Sequence, residues 1–349
     1  MLESVSSVSP KDATAQIDVL HAARAWLERD GRVALATVID TWGSAPVHVG
    51  GQLVVAADGS FQGSVSGGCI EGEVIAEAEE ILDHGRPKTL AFGVADETAW
   101  SVGLPCGGQV KVFVERLDRA SGGLDFINRA LRARESRSGL VTSTRLSDGQ
   151  RQVFERNSPG LPEDIEQRFR SGESELLSTA EGDLFVHALL PPARIVVIGA
   201  THIAQVLCEI ARLASYQVIV VDPRTAFASG DRFRAVTVDA EWPESALPRI
   251  GLDPYTALVV LAHVSHIDDE ALKVALRSDC LYIGALGSNR NHTKRMQRLR
   301  AAGFSEAEIA RIKNPIGLDI GARSPAEIAV AIMAEVILAV RGPKVHSQG

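Results

Sequence analysis

The hydrophobic pattern of the chain changes at Pro191-Pro192. After this pair, short and almost continuously apolar segments alternate with amphipathic segments of helical period, beginning with 194–198 and 203–214. Continuous apolar segments are typical of parallel strands, because helices cover both faces of such a sheet. We therefore predict that residues 191–349 form a Rossmann-like, doubly wound parallel-sheet domain. Its further predicted elements are strands at 217–221, 235–238, 257–261 and 280–283, and a helix at 268–276.

The pattern before the proline pair predicts a mixture of strands and helices. Apolar residues at helical spacing predict a first helix from about Ala15 to Asp30, and Gly31 follows as its stop signal. The more polar stretch 120–182 predicts one helix, at 124–134. These elements favour an α+β domain over residues 1–190, and the prolines mark its end because they cannot donate to a strand ladder. Its other predicted elements are a helix at 71–82 and strands at 33–39, 52–56, 61–65, 88–92, 110–117, 140–144 and 184–190.

Composition and charge narrow the classes of partner. The net charge of −8 is spread without acidic or basic blocks, which argues against general affinity for nucleic acid or anionic membranes. Residues 1–10 lack the pattern of a secretory signal, and no segment has the roughly 18 apolar residues of a membrane span. We therefore expect a cytoplasmic protein with four reduced cysteines. Cys208 and Cys280 lie in apolar segments and are interpreted as core residues.

Two cysteines are each next to a pair of glycines, in Gly67-Gly68-Cys69 and in Cys106-Gly107-Gly108. Glycine permits positive φ and leaves space beside the thiol, so both sulfurs are predicted to lie in tight loops open to a bulky group. Cys69 and Glu71 stand near the start of a predicted helix, where free N–H groups and the helix dipole attract anions and lower a thiol pKa. Each thiol is open to three interpretations: a nucleophile, a soft-metal ligand, or a small residue in a tight corner.

A strand-loop-helix junction at residues 199–204 matches part of the dinucleotide-binding fingerprint, which begins here with Gly199. Asp222 ends the next strand, at the position that holds ribose hydroxyls. Its carboxylate would repel a 2′-phosphate, and the positive charge of Arg224 would reduce this repulsion. Thr201, however, stands where the second glycine allows a pyrophosphate to approach. These residues predict the wound fold, but Thr201 argues against ordinary NAD binding. Close packing of the helix on the sheet is the alternative explanation of Gly199 and Ala204.

Several histidines and one basic run are further candidates for ligand contacts. His48 and His202 lie in the glycine loops and are candidates for hydrogen bonds to a ligand. His263 and His266 follow a strand end, at the edge where wound sheets bind ligands, but a third metal ligand is not evident. The run 290–300 is interpreted either as a clamp for phosphate or an acidic partner, or as a solvated helix face. Its central basic residues are Lys294, Arg295 and Arg298.

The C-terminal tail carries clear helix signals. Ser305 with Glu308 and Ser324 with Glu327 match the capping box, and the latter is followed by proline at the first helical position. The last predicted helix, to about Val340, is apolar on nearly all sides. We expect it to be buried in the domain or in a subunit interface.

Taken together, the motifs resemble those of the xanthine dehydrogenase accessory protein family (XdhC/CoxI). The first half carries Thr41-Trp42-Gly43-Ser44-Ala45-Pro46, the stretch 63–71 and Cys106-Gly107-Gly108. The second half carries Val221-Asp222-Pro223-Arg224 and the stretches 282–288, 315–322 and 324–329. Two positions depart from the family pattern. Thr201 replaces a glycine of the Gly-x-Gly turn, and Val47-His48 stands where a basic residue commonly follows Ala-Pro.

The resemblance implies a carrier rather than an enzyme. Such proteins bind a molybdopterin-type molybdenum cofactor, in its mononucleotide or dinucleotide form. They hold it while a cysteine-desulfurase-type sulfurase acts, and deliver it to an apo-molybdoenzyme of the xanthine dehydrogenase class. The implied cofactor contacts are the two cysteine loops, with the thiols of Cys69 and Cys106 at the molybdenum. The 199–204 loop, including His202, would hold the phosphate or nucleotide end together with Asp222 and Arg224.

Two functions from other classes stay open at this stage. The wound domain and Asp222 also suit an oxidoreductase that uses NAD. The apolar last helix also suits an interaction module without a small ligand. The sequence equally leaves open whether the protein is a homodimer.

Overall fold

The computed structural model describes residues 18–43, 45–93, 108–180, 182–228 and 230–342. The chain divides into two compact units, unit 1 (Met1–Leu190) and unit 2 (Pro191–Gly349), each with its own hydrophobic core. Unit 1 is a mixed α+β structure with antiparallel sheets, and unit 2 is built on a parallel sheet. The predicted fold class is confirmed.

The first part of unit 1 is an antiparallel sheet covered on both faces. Its elements are α1 (Val19–Asp30), β1 (Arg32–Trp42), β2 (Gln52–Ala56), β3 (Phe61–Gly63), α2 (Glu71–His84), β4 (Lys88–Phe92) and β5 (Gln109–Asp118). The strands lie in the order β3-β2-β1-β5-β4. Alternate side chains of β1 point to opposite faces. Ala34 and Ala36 therefore share a core cluster with α2, whereas Val33 and Leu35 share one with α1.

The second part of unit 1 is a smaller antiparallel sheet with two helices. Its elements are α3 (Gly123–Glu135), β6 (Leu140–Arg145), β7 (Arg151–Glu155), α4 (Glu163–Ser171), β8 (Glu175–Thr179) and β9 (Gly182–Leu189). The strand order is β7-β6-β9-β8. The hydrophobic pattern missed β7, α4 and β8 because they bury little. In α4 only Ile165 and Phe169 are buried, and they pack against the sheet at Val141 and Val186.

Unit 2 follows the predicted alternation of strands and helices. Its elements are β10 (Arg194–Ile198), α5 (His202–Leu213), β11 (Gln217–Val221), a 3₁₀ turn (Gly230–Arg232), β12 (Thr237–Asp239), α6 (Pro243–Ile250), β13 (Thr256–Val260), α7 (Ser265–Leu276), β14 (Tyr282–Ala285), α8 (Asn289–Ala301), α9 (Glu306–Ile309), β15 (Ile312–Lys313) and α10 (Pro325–Arg341). All paired strands run parallel, in the order β12-β11-β10-β13-β14-β15. The order reverses between β10 and β13, and the crevice at such a reversal is where open α/β sheets bind ligands.

The two faces of the unit 2 sheet are covered by different helices. α5 and α10 pack on one face, and α6 and α7 pack on the other. Both predicted capping boxes are present, with Pro325 at the first position of α10. α10 buries one side against the core and exposes Val330, Ile337 and Leu338 on the other. Within the described part of the chain, no helix combines the length and the apolar character needed to cross a membrane.

Candidate functional site

The glycine loop of unit 1 connects β3 to α2 and is folded around a carboxylate. Glu71, the first residue of α2, points back into the loop and is 8% exposed. Its Oε1 accepts hydrogen bonds from the amides of Val65 (3.2 Å) and Ser66 (2.9 Å), and its Oε2 accepts from those of Gly68 (2.9 Å) and Ile70 (3.3 Å). The hydroxyls of Ser64 and Ser66 also donate to it. The Glu71 carboxylate therefore fills the centre of this loop and accepts the hydrogen bonds that the loop amides could otherwise donate to a bound anion.

The same contacts hold the carboxyl of Glu71 in its ionised form. Burial by itself raises the pKa of this group, but the hydrogen bonds from Ser64 and Ser66 outweigh burial. The result is a pKa lowered from 4.5 to about 2. At neutral pH the loop is therefore built around a fixed negative charge.

The loop offers a thiol to a ligand, but not its amides. The Gly67 amide donates to Ser64 Oγ (2.8 Å) and the Cys69 amide to Ser66 Oγ (3.0 Å), so every amide from Val65 to Ile70 has an acceptor within the protein. Free N–H groups are therefore not found between Val65 and Ile70, the part of the loop that precedes α2. Gly67 and Gly68 have φ of +78° and +113°, which explains the need for glycine. Together with Cys69 they are exposed, so the sulfur is accessible.

The other sequence-predicted residues of unit 1 are not brought to this loop by any described contact. Cys106 and Gly107 lie outside the described residues. Gly108 is buried just before β5, and a Cβ on Gly93 would lie 2.2 Å from its carbonyl oxygen. His48 is exposed in the connection between β1 and β2, where its carbonyl accepts from the Gly51 amide.

The fingerprint loop of unit 2 is tightly packed rather than open. Gly199 has φ of +102°, and a Cβ there would lie 2.5 Å from the amide nitrogen of Ala262. Thr201 caps α5, because its hydroxyl accepts from the amide of Ala204 (3.3 Å), which is fully buried. The close contact of Gly199 and the burial of Ala204 support the packing interpretation of these two residues. His202 is exposed at the first position of the helix.

Asp222 is fully buried and its carboxylate is already occupied. It accepts from the Ala200 amide (2.7 Å), from the Arg224 amide (3.0 Å) and from Nε (2.9 Å) and Nη2 (2.7 Å) of the Arg224 guanidinium. Burial raises the pKa of this carboxyl, but these hydrogen bonds outweigh burial and lower it. Arg224 also stacks on Phe227, with Cζ 4.4 Å from the ring centroid. Asp222 therefore joins two loops of the sheet edge.

A cleft at the carboxyl ends of β13 and β14 contains a residue that the sequence analysis missed. Asp268, in the first turn of α7, is buried beside Arg295 of α8. Burial raises the pKa of the Asp268 carboxyl to about 6, against the opposing effect of Arg295. The solvated-face interpretation of the basic run is wrong at Arg295, which is 4% exposed. The only local signal for Asp268 was an acidic residue near a helix start. Across the described ranges, no group of three His, Cys, Asp or Glu side chains could hold a metal ion.

Both glycine loops lie in regions that match models of known families. The model described as the XdhC and CoxI family matches residues 26–93, and the model described as the XdhC Rossmann domain matches residues 195–336. The chain belongs to the XdhC and CoxI family. The resemblance inferred from the motifs is confirmed. The first match includes the loop around Glu71, and the second includes the loop at Gly199 and the cleft at Asp268.

Several known proteins are similar to this chain along most of its length. A molybdenum cofactor insertion chaperone, PaoD from Escherichia coli, is 27% identical over 90% of this chain and 85% of its own length. A probable xanthine dehydrogenase component from Bacillus subtilis is 27% identical over 90% of this chain and 94% of its own length. A solved structure from Bacillus halodurans, described as a xanthine dehydrogenase, covers 95% of this chain and 98% of its own with 23% identity and a TM-score of 0.67. This last similarity establishes the shared fold.

Proposed function

We propose that this protein binds a molybdenum cofactor and delivers it to a molybdoenzyme of the xanthine dehydrogenase class. Support comes from the two curated relatives, one an insertion chaperone and the other a probable xanthine dehydrogenase component, which both match along nearly the whole chain. A carrier must bind its cargo without consuming it. The occupied amides at Glu71 and the occupied carboxylate at Asp222 suit binding loops of fixed shape.

The observation that carries the proposal is the exposed thiol of Cys69 on a loop whose backbone is already satisfied. Thiolate is a soft ligand that suits a soft, sulfur-ligated metal centre. Gly67 and Gly68, which precede Cys69, have no side chains that could shield its sulfur from a ligand. In this proposal Cys69 contacts or protects the molybdenum while a cysteine-desulfurase-type partner sulfurates it. Cys106, Gly107 and Gly108 form a second contact of the same kind.

A separate part of the proposal concerns the fingerprint loop of unit 2. We assign to Gly199, Thr201, His202, Asp222 and Arg224 the binding of a phosphate or nucleotide group. Because the Asp222 carboxylate already accepts four hydrogen bonds, its role here is to position the loop and Arg224, while Arg224 and His202 reach the ligand. In the alternative of NAD binding, Asp222 would accept from ribose hydroxyls, which would require some of these four hydrogen bonds to break.

The test is to co-express the full chain with intact cofactor synthesis and to measure the pterin and molybdenum that co-purify with it. We expect both in the unchanged protein, and a clear loss of molybdenum per chain in Cys69→Ala. The matched control is Cys208→Ala, which removes a thiol that is buried in α5. No pterin in the unchanged protein would refute the carrier function. Equal molybdenum in Cys69→Ala and in the control would refute the role of the thiol.

A further inference from the structure

A cleft of about 190 Å³ opens at the carboxyl edge of the unit 2 sheet. It lies between the first turn of α7, which follows β13, and the first three turns of α8, which follows β14. Its floor is the buried pair Asp268 and Arg295, and its rim is exposed and polar. The lining residues are His263, Ser265, Asp268, Asn291, Lys294, Arg295 and Arg298.

The floor of the cleft contains hydrogen-bonding groups without partners. Arg295 uses only Nη2, which donates to the Leu286 carbonyl (3.1 Å) and lies 3.4 Å from Asp268 Oδ2. Its Nε and Nη1 are buried and have no acceptor, and Oδ1 of Asp268 is buried and has no donor. Buried polar atoms are nearly always paired, and a charged one left unpaired is costly. A ligand that supplies acceptors to Arg295 and one donor to Asp268 would satisfy these atoms.

The surroundings of the floor favour an anion. Lys294 on the rim makes no ion pair within the described part of the chain, whereas Arg298 is paired with Asp269. Residues from the first turns of two long helices, Ser265 of α7 and Asn291 of α8, line the cleft, so the positive ends of both helix dipoles lie near it. The residue before α7, Val264, has no side chain that could cap the first amides of that helix. The donors thus converge with an excess of positive charge.

We propose that this cleft binds a phosphate group that still carries a proton, either inorganic hydrogen phosphate or a protonated phosphomonoester. Two phosphate oxygens accept from Nε and Nη1 of Arg295 in the forked geometry that guanidinium offers to phosphate. The phosphate hydroxyl donates to Oδ1 of Asp268, and Lys294 pairs with the remaining charge at the rim. The inference uses residues of unit 2 alone and does not depend on the proposed carrier function.

The unpaired Oδ1 of Asp268 makes the site selective between oxyanions. Sulfate has the shape and charge of phosphate but no hydroxyl, so an ionised Asp268 repels it. The charged groups that face Asp268 are Asp269 beside it in α7, Arg224 from the segment after β11, and Arg295 and Arg298 from α8. Burial raises the pKa of the Asp268 carboxyl to about 6 and Asp269 adds to this effect, whereas Arg295 and Arg224 oppose it. Sulfate should therefore bind more tightly at acidic pH, where Asp268 itself becomes the donor.

The experiment is calorimetric titration of the full chain with inorganic phosphate and with sulfate at pH 7.5 and pH 5.5. We expect phosphate to bind at least about tenfold more tightly than sulfate at pH 7.5. Sulfate leaves Oδ1 of Asp268 without a donor, and a buried group without its partner costs about 1.4 kcal/mol or more, which corresponds to a tenfold loss of affinity. The preference should shrink at pH 5.5. A simple phosphomonoester distinguishes the two sources, because its last proton leaves near pH 6. Binding of phosphate but not of the ester at pH 7.5 assigns the site to inorganic phosphate.

Three variants complete the test. Asp268→Asn should abolish the preference for phosphate over sulfate and its pH dependence, because the amide can donate to either ion. Lys294→Ala should weaken both ions about three- to tenfold and keep the preference. Arg290→Ala, which removes an exposed charge from the same helix outside the cleft, is the matched control and should leave both affinities unchanged. Equal affinity for both ions at pH 7.5, or no saturable phosphate binding by the folded chain, would overturn the proposal.

Discussion

Replacing Glu71 by glutamine tests whether one carboxylate holds the thiol-bearing loop. Each oxygen of Glu71 accepts two backbone N–H groups, those of Val65 and Ser66 on one side and those of Gly68 and Ile70 on the other. In glutamine one oxygen becomes an NH₂ group, which cannot accept and faces two donors. Two backbone amides then lose their acceptor, at about 1–3 kcal/mol each, so the loop should lose about 2–6 kcal/mol of local stability.

Amide hydrogen exchange read by mass spectrometry measures this loss directly. The peptide covering residues 64–70 should exchange at least roughly 30-fold faster in Glu71→Gln, because 2 kcal/mol corresponds to about that factor. Peptides from the sheet of unit 2 should exchange as before. The matched control is Glu73→Gln, which removes a charge from the same first turn of α2 but makes no hydrogen bond to the loop in the described structure.

Two results would refute this reasoning. If the loop of Glu71→Gln exchanged at the rate of the unchanged protein, the six hydrogen bonds to the carboxylate would contribute little to loop order. If Glu73→Gln accelerated exchange equally, the effect would come from the helix dipole, which is worth only about 0.3–1 kcal/mol. Both variants should keep the fold of α2, which is checked by circular dichroism.

Three further predictions concern acid, packing and thiol access. Because the pKa of Glu71 is lowered from 4.5 to about 2, its stabilisation of the loop is present above pH 4.5 and is lost as the pH falls towards 2. Amide hydrogen exchange of the loop, corrected for intrinsic rates, should therefore accelerate over this pH range, and a constant corrected rate would contradict the prediction. Gly199→Ala should lower the free energy of unfolding in urea by at least about 3 kcal/mol, whereas Gly303→Ala, with φ of +89° and open space around it, should lower it by only about 1–2 kcal/mol. Equal losses in the two variants would mean that the backbone moves to relieve the clash at Gly199. Cys69 should be alkylated in the native protein at least roughly a hundredfold faster than Cys208, because burial raises the pKa of the Cys208 thiol to about 12. Comparable alkylation rates in peptide mapping would contradict the burial of the Cys208 thiol in α5.

Some structural features followed from the sequence because their causes are local or periodic. Strands buried on both faces must be apolar along their whole length, so the pattern after Pro191 predicted the parallel sheet. The capping boxes at Ser305 and Ser324 involve residues three apart, and both formed as predicted. Elements with little burial, such as α4, escaped the pattern because Ile165 and Phe169 alone do not distinguish a helix from a loop.

The candidate sites show the same division. Cys69 and Glu71 stood out because glycines, thiol and carboxylate are neighbours in the chain. The sequence did not reveal that Glu71 accepts the loop amides, since this depends on the path of the chain between β3 and α2. The occupation of Asp222 was equally hidden, because one of its donors is the amide of Ala200, 22 positions earlier.

The sequence by itself determined the wound fold of unit 2, the family of the protein and the presence of a thiol in a glycine loop. It could do so because periodicity, helix capping and glycine conformation act over a few residues. Only the tertiary structure decided which charged groups are buried and what they face. Arg295 belongs to a basic run, yet it is buried against Asp268, 27 positions away, because α7 and α8 begin side by side at the ends of adjacent strands. Burial of a charge depends on distant elements that meet in space, and no local pattern records that meeting.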